Sequence, residues 1–300
     1  MERVIEIAKE GQFLARDRGT MLVKADGSEV GRVPLDDIAC IIITARGVSY
    51  SNDLIRSLAE RGASFVICNR NFQPISWLWP IEGNHTQASR MQAQLSAPKP
   101  FSKRAWQAVI KAKVDQQAAV LEIRGAPSAP ALAAMARRIR SGDPDNIEAQ
   151  AARRYWPELM GSDFRRDTSG TGANAHLNYG YTVLRATTAR AIVSAGLHPS
   201  LGIHHHNAFN SLALADDLME PFRPFVDLAV IRLQHDGVHD VSPEAKERLA
   251  NVMAWDLPTP DGISPVSRCV SRLATSLAQS FVSGELDLVL PSKTLPLEIG

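Results

Sequence analysis

The chain has 300 residues, of which 45% are hydrophobic and 22% are charged, and its formal net charge is +1. This length allows one large domain or two of ordinary size, with enough apolar residues for a packed core. The net charge by itself gives no information about a nucleic-acid partner, and no apolar run approaches the roughly 18 residues that a membrane-spanning helix needs.

The cysteines and the N-terminus both bear on location. Cys40, Cys68 and Cys269 are scattered and contain no C-x-x-C pair. Such a set is typical of reduced core thiols in a cytosolic protein. The first residues, MERVIEIAKEG, lack the apolar core of a signal peptide. We therefore expect a cytoplasmic protein that does not associate with a membrane.

The first 80 residues have the pattern of short strands with one helix. The run 38–44 is continuously apolar, which is typical of a strand buried on both faces. Ser51 is a plausible N-cap for a helix over 52–61, which Gly62 would end. Because this segment carries no catalytic cluster, residues 1–80 are predicted to form a small β-rich domain for support or dimerisation. Further strands are predicted at 4–7, 13–15, 20–23, 64–68 and 74–79.

Beyond residue 80 the pattern changes to helices. Residues 81–100 contain Pro98 and Pro100 and a polar middle, so they are a candidate linker. Residues 101–300 are predicted to form a larger all-α domain, which makes the expected fold α+β with two domains. Loops are predicted at 161–174 and 256–260. Helices are predicted at 103–124, 130–139, 144–156, 177–195, 208–220, 242–255 and 264–282.

Positive charge is concentrated in one part of this helical region. Residues 99–166 contain 13 Lys or Arg against 7 Asp or Glu, a surplus of six. This surplus could be a footprint for phosphates, or it could be an ordinary solvated helix surface. Arg165 and Arg166 lie in the Gly- and Ser-rich loop, where they could reach a phosphate backbone, and Arg153 and Arg154 follow Glu148 on the same helix.

Histidines and acids follow in a second cluster. His204, His205 and His206 are consecutive. Asp216, Asp217 and Glu220 lie on the helix that is predicted to follow them, at 208–220. Imidazole together with carboxylates favours a divalent metal, because these ligands suit Mg²⁺ and Mn²⁺ better than they suit structural zinc. The alternative is a polar loop that caps an ordinary helix.

These blocks resemble a known family. GLHPSLGIHHHN (196–207), LADDLMEPFRPFVD (214–227) and NAHLNYGYTVL (174–184), with Glu148 before Arg-Arg-Tyr-Trp, are similar to the CRISPR adaptation integrases in their type II form. The resemblance covers the whole chain. It implies that Glu148, His205 and Glu220 are the catalytic and metal-binding residues, with Asp217 and His206 as further candidates. It also indicates that Asn178 lines the site. The predicted DNA-binding residues are Arg153, Arg154, Arg165, Arg166, Asn178 and Arg223.

The resemblance further implies a reaction and an assembly. A metal-dependent enzyme of this family would join a prespacer 3′-hydroxyl to a phosphodiester of the CRISPR repeat, using Mg²⁺ or Mn²⁺. It would act on double-stranded DNA as a homodimer, bridged by a small ferredoxin-like CRISPR-associated partner into a heterohexamer, and other type II adaptation proteins are further candidate partners. Two alternatives stay open: a metal-dependent nuclease acting on branched DNA, and a non-catalytic DNA-binding scaffold.

Overall fold

A computed structural model describes residues 3–69, 74–78 and 84–291. The chain divides into two compact units, Met1–His85 and Thr86–Gly300. The first unit is built mainly of strands and the second mainly of helices, so the predicted α+β fold class is confirmed. Within the described residues, no helix is long and apolar enough to cross a membrane.

The first unit contains two four-stranded sheets and one helix among its described residues. The first sheet has the order β1-β5-β7-β8 and the second has the order β4-β3-β2-β6. The elements are β1 (Arg3–Ile7), β2 (Gln12–Asp17), β3 (Thr20–Ala25), β4 (Ser28–Pro34), β5 (Ile38–Ile43), β6 (Ser49–Tyr50), α1 (Asn52–Glu60), β7 (Ser64–Cys68) and β8 (Pro74–Leu78).

The continuously apolar run forms the buried centre of the first sheet. All six residues of β5 are buried, and β5 pairs in parallel with β1 on one side and β7 on the other. The predicted helix cap is also confirmed, since the Ser51 hydroxyl accepts a hydrogen bond from the Leu54 N–H at 3.3 Å. Strand β4 was not predicted, because its exposed sequence SEVGRVP has little apolar character. Trp79, at the end of the predicted last strand, lies outside the described residues.

The second unit is organised around a long buried helix, α6. It packs against α7, α8, α9 and α10. A Cβ atom at Gly180 of α6 would lie 2.5 Å from Val226 Cγ1 of α8, so glycine is what allows these two helices to approach. The helices are α2 (Gln87–Ser96), α3 (Lys99–Ile123), α4 (Ala129–Ala136), α5 (Ile147–Met160), α6 (Ala173–Ser194), α7 (Ala213–Met219), α8 (Arg223–His235), α9 (Pro243–Asn251) and α10 (Val266–Ser283).

Two predicted irregular segments have regular structure. Residues 87–96 of the predicted linker form α2, and α3 begins at Lys99 rather than at residue 103. The predicted loop 256–260 contains β9 (Asp256–Thr259), which pairs with β10 (Gly262–Pro265) as an antiparallel hairpin. The second unit is therefore mostly helical rather than all-α.

Two helices begin later than predicted, for local reasons. Helix α5 begins at Ile147 because Asn146 has a left-handed φ of 52° and the Asp143 carboxylate accepts from the N–H groups of Ile147 and Glu148. Helix α7 begins at Ala213 rather than at residue 208. The side-chain oxygens of Asn207 and Asn210 accept from the N–H groups two residues further on and hold turns there.

Candidate active site

Two predicted metal-binding acids converge on one lysine. The Nζ of Lys113, on α3, lies 2.6 Å from Oε1 of Glu148 and 2.5 Å from Oε2 of Glu220. Glu148 is in the first turn of α5, and Glu220 follows the last residue of α7. The structure therefore brings together carboxylates from distant parts of the chain, and a cation already lies between them.

The Asp143 carboxylate fixes the position of Glu148. It accepts from the Ile147 N–H at 2.8 Å and from the Glu148 N–H at 3.0 Å, so it caps the first turn of α5. The side chain of Glu148 is 29% exposed, whereas that of Glu220 is 7% exposed. One carboxylate therefore faces the open side of the site, and the other lies in its floor.

Positive and negative charge balance at this point. Arg223 Nε donates to Oε1 of Glu220 at 2.7 Å, so Lys113 and Arg223 face Glu148 and Glu220. Burial alone would raise the pKa of Glu220, but Arg223 and Lys113 outweigh it and the pKa is lowered. Burial would lower the pKa of Lys113, but Glu220 and Glu148 raise it overall. The buried Glu220 is therefore held as a carboxylate and Lys113 as an ammonium.

Asp217 holds the imidazole ring of His205. Its carboxylate is fully buried, and Oδ1 lies 2.5 Å from Nδ1 of His205. The same carboxylate accepts from the backbone N–H groups of Ile203 at 2.7 Å, His204 at 3.0 Å and His205 at 3.3 Å. The hydrogen bond to Asp217 raises the pKa of His205 and leaves Nε2 as the nitrogen with a free lone pair in the neutral ring.

The sequence predicts Asp217 as a further candidate ligand, but its contacts suit another role. Because this carboxylate already accepts four hydrogen bonds, it is better placed to position His205 than to bind a metal. A methyl group at Gly202 would overlap the His205 carbonyl oxygen and lie 2.8 Å from Oδ2 of Asp217. The loop can therefore close over this carboxylate only with glycine at that position.

The three adjacent histidines have different surroundings. The ring of His204 stacks on Trp106 with centroids 4.0 Å apart and planes 3° apart, and burial lowers its pKa. His206 is exposed. Both residues line a cavity of about 930 Å³ beside the loop, together with Lys103 and the almost fully exposed Phe209. Of the three, His205 is the one whose ring is oriented by a carboxylate.

The residues fit a cation, although they do not form a ready-made metal cluster. Among the described residues, no three His, Cys, Asp or Glu side chains lie close enough together to hold a metal ion. Among the contacts described, the Lys113 ammonium, 2.5 Å away, is the single partner of the buried Oε2 of Glu220. This oxygen therefore keeps lone-pair capacity for a cation, and carboxylate oxygens are the ligands that Mg²⁺ and Mn²⁺ favour.

Two of the predicted DNA-binding residues lie over the ring of Tyr181, and a third, Asn178, contacts one of them. The guanidinium of Arg223 lies 4.6 Å from the ring centroid and that of Arg166 lies 5.4 Å from it. Arg166 also donates to the side-chain oxygens of Asn174 at 3.0 Å and Asn178 at 2.6 Å. Arg165 is exposed and donates to backbone carbonyls of its own loop, and Arg153 and Arg154 are exposed on α5.

Sequence reasoning missed a buried network behind these arginines. Asp227, on α8, accepts from the hydroxyl of Tyr155 at 2.9 Å and from the hydroxyl of Tyr181 at a short distance. Burial raises the pKa of Asp227 to about 6, although both hydroxyls act in the opposite direction. Lys113 was also missed, although one signal was available. It stands three residues after Ile110 on the apolar stripe of α3, where a lysine is unexpected.

Comparison with known proteins gives the family. The model of the family described as CRISPR associated protein Cas1 matches residues 5–244. A curated relative from Neisseria meningitidis, named CRISPR-associated endonuclease Cas1, is 36% identical over 84% of this chain and 83% of its own. The match therefore spans both units and most of the relative.

Solved structures show the same fold at lower identity. A casposase bound to integration product has a TM-score of 0.80 and 23% identity, over 95% of this chain and 92% of its own. A chain of a Cas6-RT-Cas1–Cas2 complex has a TM-score of 0.74 and 17% identity, over 98% of this chain and 36% of its own. The family match and the curated relative together confirm the family, and the chain belongs to the Cas1 family of CRISPR-associated endonucleases.

Proposed function

We propose that this chain is a divalent-metal-dependent DNA integrase, which joins a DNA 3′-hydroxyl to a phosphodiester by transesterification. The observation that carries the proposal is the convergence of Glu148 and Glu220 on one cation-binding point, with the ring of His205, oriented by Asp217, within reach of the Glu220 charge. Mg²⁺ or Mn²⁺, held by these two carboxylates and His205 Nε2, would polarise the phosphodiester and stabilise the negative charge that develops on its oxygens.

The chain's own residues prepare the site for that chemistry. Glu220 stays ionised because Lys113 and Arg223 lie against it, and Glu148 pairs with the same ammonium, so carboxylate oxygens are available as ligands. Asp217 fixes the His205 ring through Nδ1 and leaves Nε2 for coordination. Since the buried floor of the site excludes water from Glu220, each interaction with a charged group is stronger there than at an exposed position.

Arg166, Arg223 and Asn178 are proposed to bind the DNA backbone at this site. The hydrogen bonds described for the half-buried Arg166 all go to neutral acceptors, namely the Asp167 carbonyl and two asparagine side chains. A guanidinium that is partly removed from water without a carboxylate partner favours an anion nearby, such as a phosphate. The exposed Arg153, Arg154 and Arg165 would add attraction that depends on salt concentration.

The assembly is proposed on the basis of the family. The β-rich unit would form the homodimer, and a small ferredoxin-like partner would bridge two dimers that hold double-stranded DNA, with other type II adaptation proteins as further candidates. The complex containing Cas1 and Cas2 and the casposase bound to integration product share this fold. The first is an assembly with Cas2 and the second is bound to an integration product, which supports a Cas partner and a DNA ligand for this chain.

The test is a strand-transfer assay on a branched DNA that mimics a half-integrated spacer, with Mg²⁺, Mn²⁺ or EDTA. We expect metal-dependent resealing of the branch by the wild type. Glu148→Gln, Glu220→Gln and His205→Ala should abolish it while DNA binding, measured by fluorescence anisotropy, persists. Asp145→Asn is the matched control, because this exposed acid lies three residues before Glu148 and pairs only with Arg140 among the contacts described for its side chain.

Other outcomes would support the alternatives. Metal-dependent cleavage without resealing would indicate a nuclease that acts on branched DNA. DNA binding without any metal-dependent product, also after addition of the partner protein, would indicate a scaffold. Retained resealing by His205→Ala would show that another of the adjacent histidines is the ligand.

A further inference from the structure

We propose that Lys113 is the resident cation of this site: its ammonium holds Glu148 and Glu220 together before a divalent metal binds, and it must leave them when the metal enters. The inference rests on the proposed function, because it concerns how the same site takes up its metal. It goes further in identifying a positioning residue that competes with the metal.

The first argument is burial. Lys113 lies on α3 among the buried residues Val109, Ile110 and Val114, and its side chain is only 11% exposed. A lysine that is taken out of water is stable only if its charge is compensated. The compensation here comes from the two acids, and the ammonium in turn neutralises the partly exposed Glu148 and, together with Arg223, the buried Glu220. Removing any of the three would leave uncompensated buried charge.

The second argument is that the ammonium and a metal require the same lone pairs. Lys113 Nζ lies 2.6 Å from Oε1 of Glu148 and 2.5 Å from Oε2 of Glu220. A metal that bound both oxygens would have to take the place of this ammonium. If the Lys113 ammonium stayed in place, it would also repel a doubly charged ion strongly, because the site is buried.

The third argument is that the Lys113 ammonium can leave both acids while the rest of the site stays in place. It hydrogen-bonds to Oε1 of Glu148 and lies 2.5 Å from Oε2 of Glu220, and the described contacts give Oε2 no other partner. Lysine is a point charge on a flexible four-carbon stem, so it can rotate away without any movement of the backbone. Arg223 can remain, because it binds the other oxygen of Glu220 through Nε.

The first experiment uses the unmodified chain. The purified protein is labelled briefly with acetic anhydride in EDTA or in Mn²⁺, and the acetylation of each lysine is measured by mass spectrometry. We expect Lys113 to be protected in EDTA and its labelling to rise at least about fivefold in Mn²⁺, because displacement exposes the amine. Lys111, exposed two residues earlier on the same helix, should be labelled equally in both.

The second experiment compares variants by calorimetric titration with Mn²⁺. Lys113→Met should bind Mn²⁺ at least about tenfold more tightly than the wild type, since the competing charge is gone. Its melting temperature should be lower in EDTA and should be restored by Mn²⁺. Lys111→Met should match the wild type in both measurements.

The outcomes separate this inference from the proposed function. Mn²⁺ binding by the wild type without a change in Lys113 labelling would overturn the inference and leave the proposed function intact. Unchanged or weaker Mn²⁺ binding by a folded Lys113→Met would also overturn it, because Lys113 would then only support the acids. An absence of Mn²⁺ binding by any of the proteins would overturn both.

Discussion

Replacing Asp217 by asparagine should have two effects: it should loosen the loop that carries His204, His205 and His206, and it should weaken His205 as the proposed metal ligand. The carboxylate accepts four hydrogen bonds: Oδ2 from the N–H groups of Ile203 and His204, and Oδ1 from the N–H and the Nδ1 of His205. An amide keeps only one oxygen. With the amide nitrogen toward Ile203 and His204, two backbone donors would be stranded. With the nitrogen toward His205, one backbone donor would be stranded, and the ring would have to accept at Nδ1.

The second orientation costs less, and it sets the expected result for Asp217→Asn. One stranded buried donor costs about 1–3 kcal/mol, and replacing charge-assisted hydrogen bonds by neutral ones costs about 1 kcal/mol more. We expect the free energy of unfolding to fall by about 3 kcal/mol in total. The ring of His205 would then carry its proton on Nε2 and lose the lone pair that we propose for the metal.

Urea unfolding and amide hydrogen exchange measure these effects. In the wild type the N–H group of His205 should exchange slowly, and in Asp217→Asn it should exchange faster by at least about tenfold, because it is the donor that the amide strands. Asp145→Asn is the control, because its carboxylate is 46% exposed where it pairs with the exposed Arg140. It should cost only about 1 kcal/mol. A decrease below about 1 kcal/mol for Asp217→Asn with unchanged protection would refute the reasoning.

Three further predictions concern the surroundings of the site. Burial raises the pKa of Asp227 from 3.8 to about 6, so the contribution of this carboxyl to stability is present below about pH 4 and lost as the pH rises through 6. The difference in free energy of unfolding between wild type and Asp227→Asn, measured in urea at pH 4 and pH 7, should therefore fall by about 2 kcal/mol. A pH-independent difference would contradict this. Gly202→Ala should cost about 2 kcal/mol or more, and lower the melting temperature, because its methyl group overlaps the His205 carbonyl. Replacing Arg165 and Arg166 by glutamine should weaken DNA binding and reduce the slope of log K against log salt by about one unit for each phosphate that these side chains neutralise in the wild type. An unchanged slope would mean that these side chains do not reach the DNA.

The parts of the fold that local pattern determines could be predicted from sequence. The apolar run at 38–44 became the central strand β5, and Ser51 caps α1 as expected. Helix α2 was missed for a physical reason. Its sequence QASRMQAQLS has few apolar residues, and distant contacts hold it: Arg90 donates to the Ala195 carbonyl, and Gln94 donates to those of His198 and Leu201. Hydrogen bonds between residues so far apart along the chain produce no local pattern.

In the candidate site, too, local sequence features could be predicted and contacts between distant residues could not. The residue types that bind metals could be identified from sequence, and the family resemblance selected Glu148, His205 and Glu220 among them. The partners of these residues could not be found in this way. A lysine in a long amphipathic helix is normally a surface residue, so Lys113 drew no interpretation; its place on the apolar stripe shows that it is buried but does not name the acids that pair with it. The role of Asp217 depends on how a glycine-containing loop folds back over it, which spacing along the chain does not specify.

The two halves of the site are held in different ways, and this difference has consequences for any variant. His205 is held by Asp217, whose acceptors are saturated by backbone N–H groups, so this half can change only if the loop itself opens. Glu148 and Glu220 are held by one flexible ammonium, so this half can exchange its cation while the helices stay in place. Damage to the histidine half should therefore appear first as reduced stability, and damage to the acidic half as altered metal affinity. A variant in either half that shows the opposite signature would mean that the two halves are coupled more tightly than their contacts indicate.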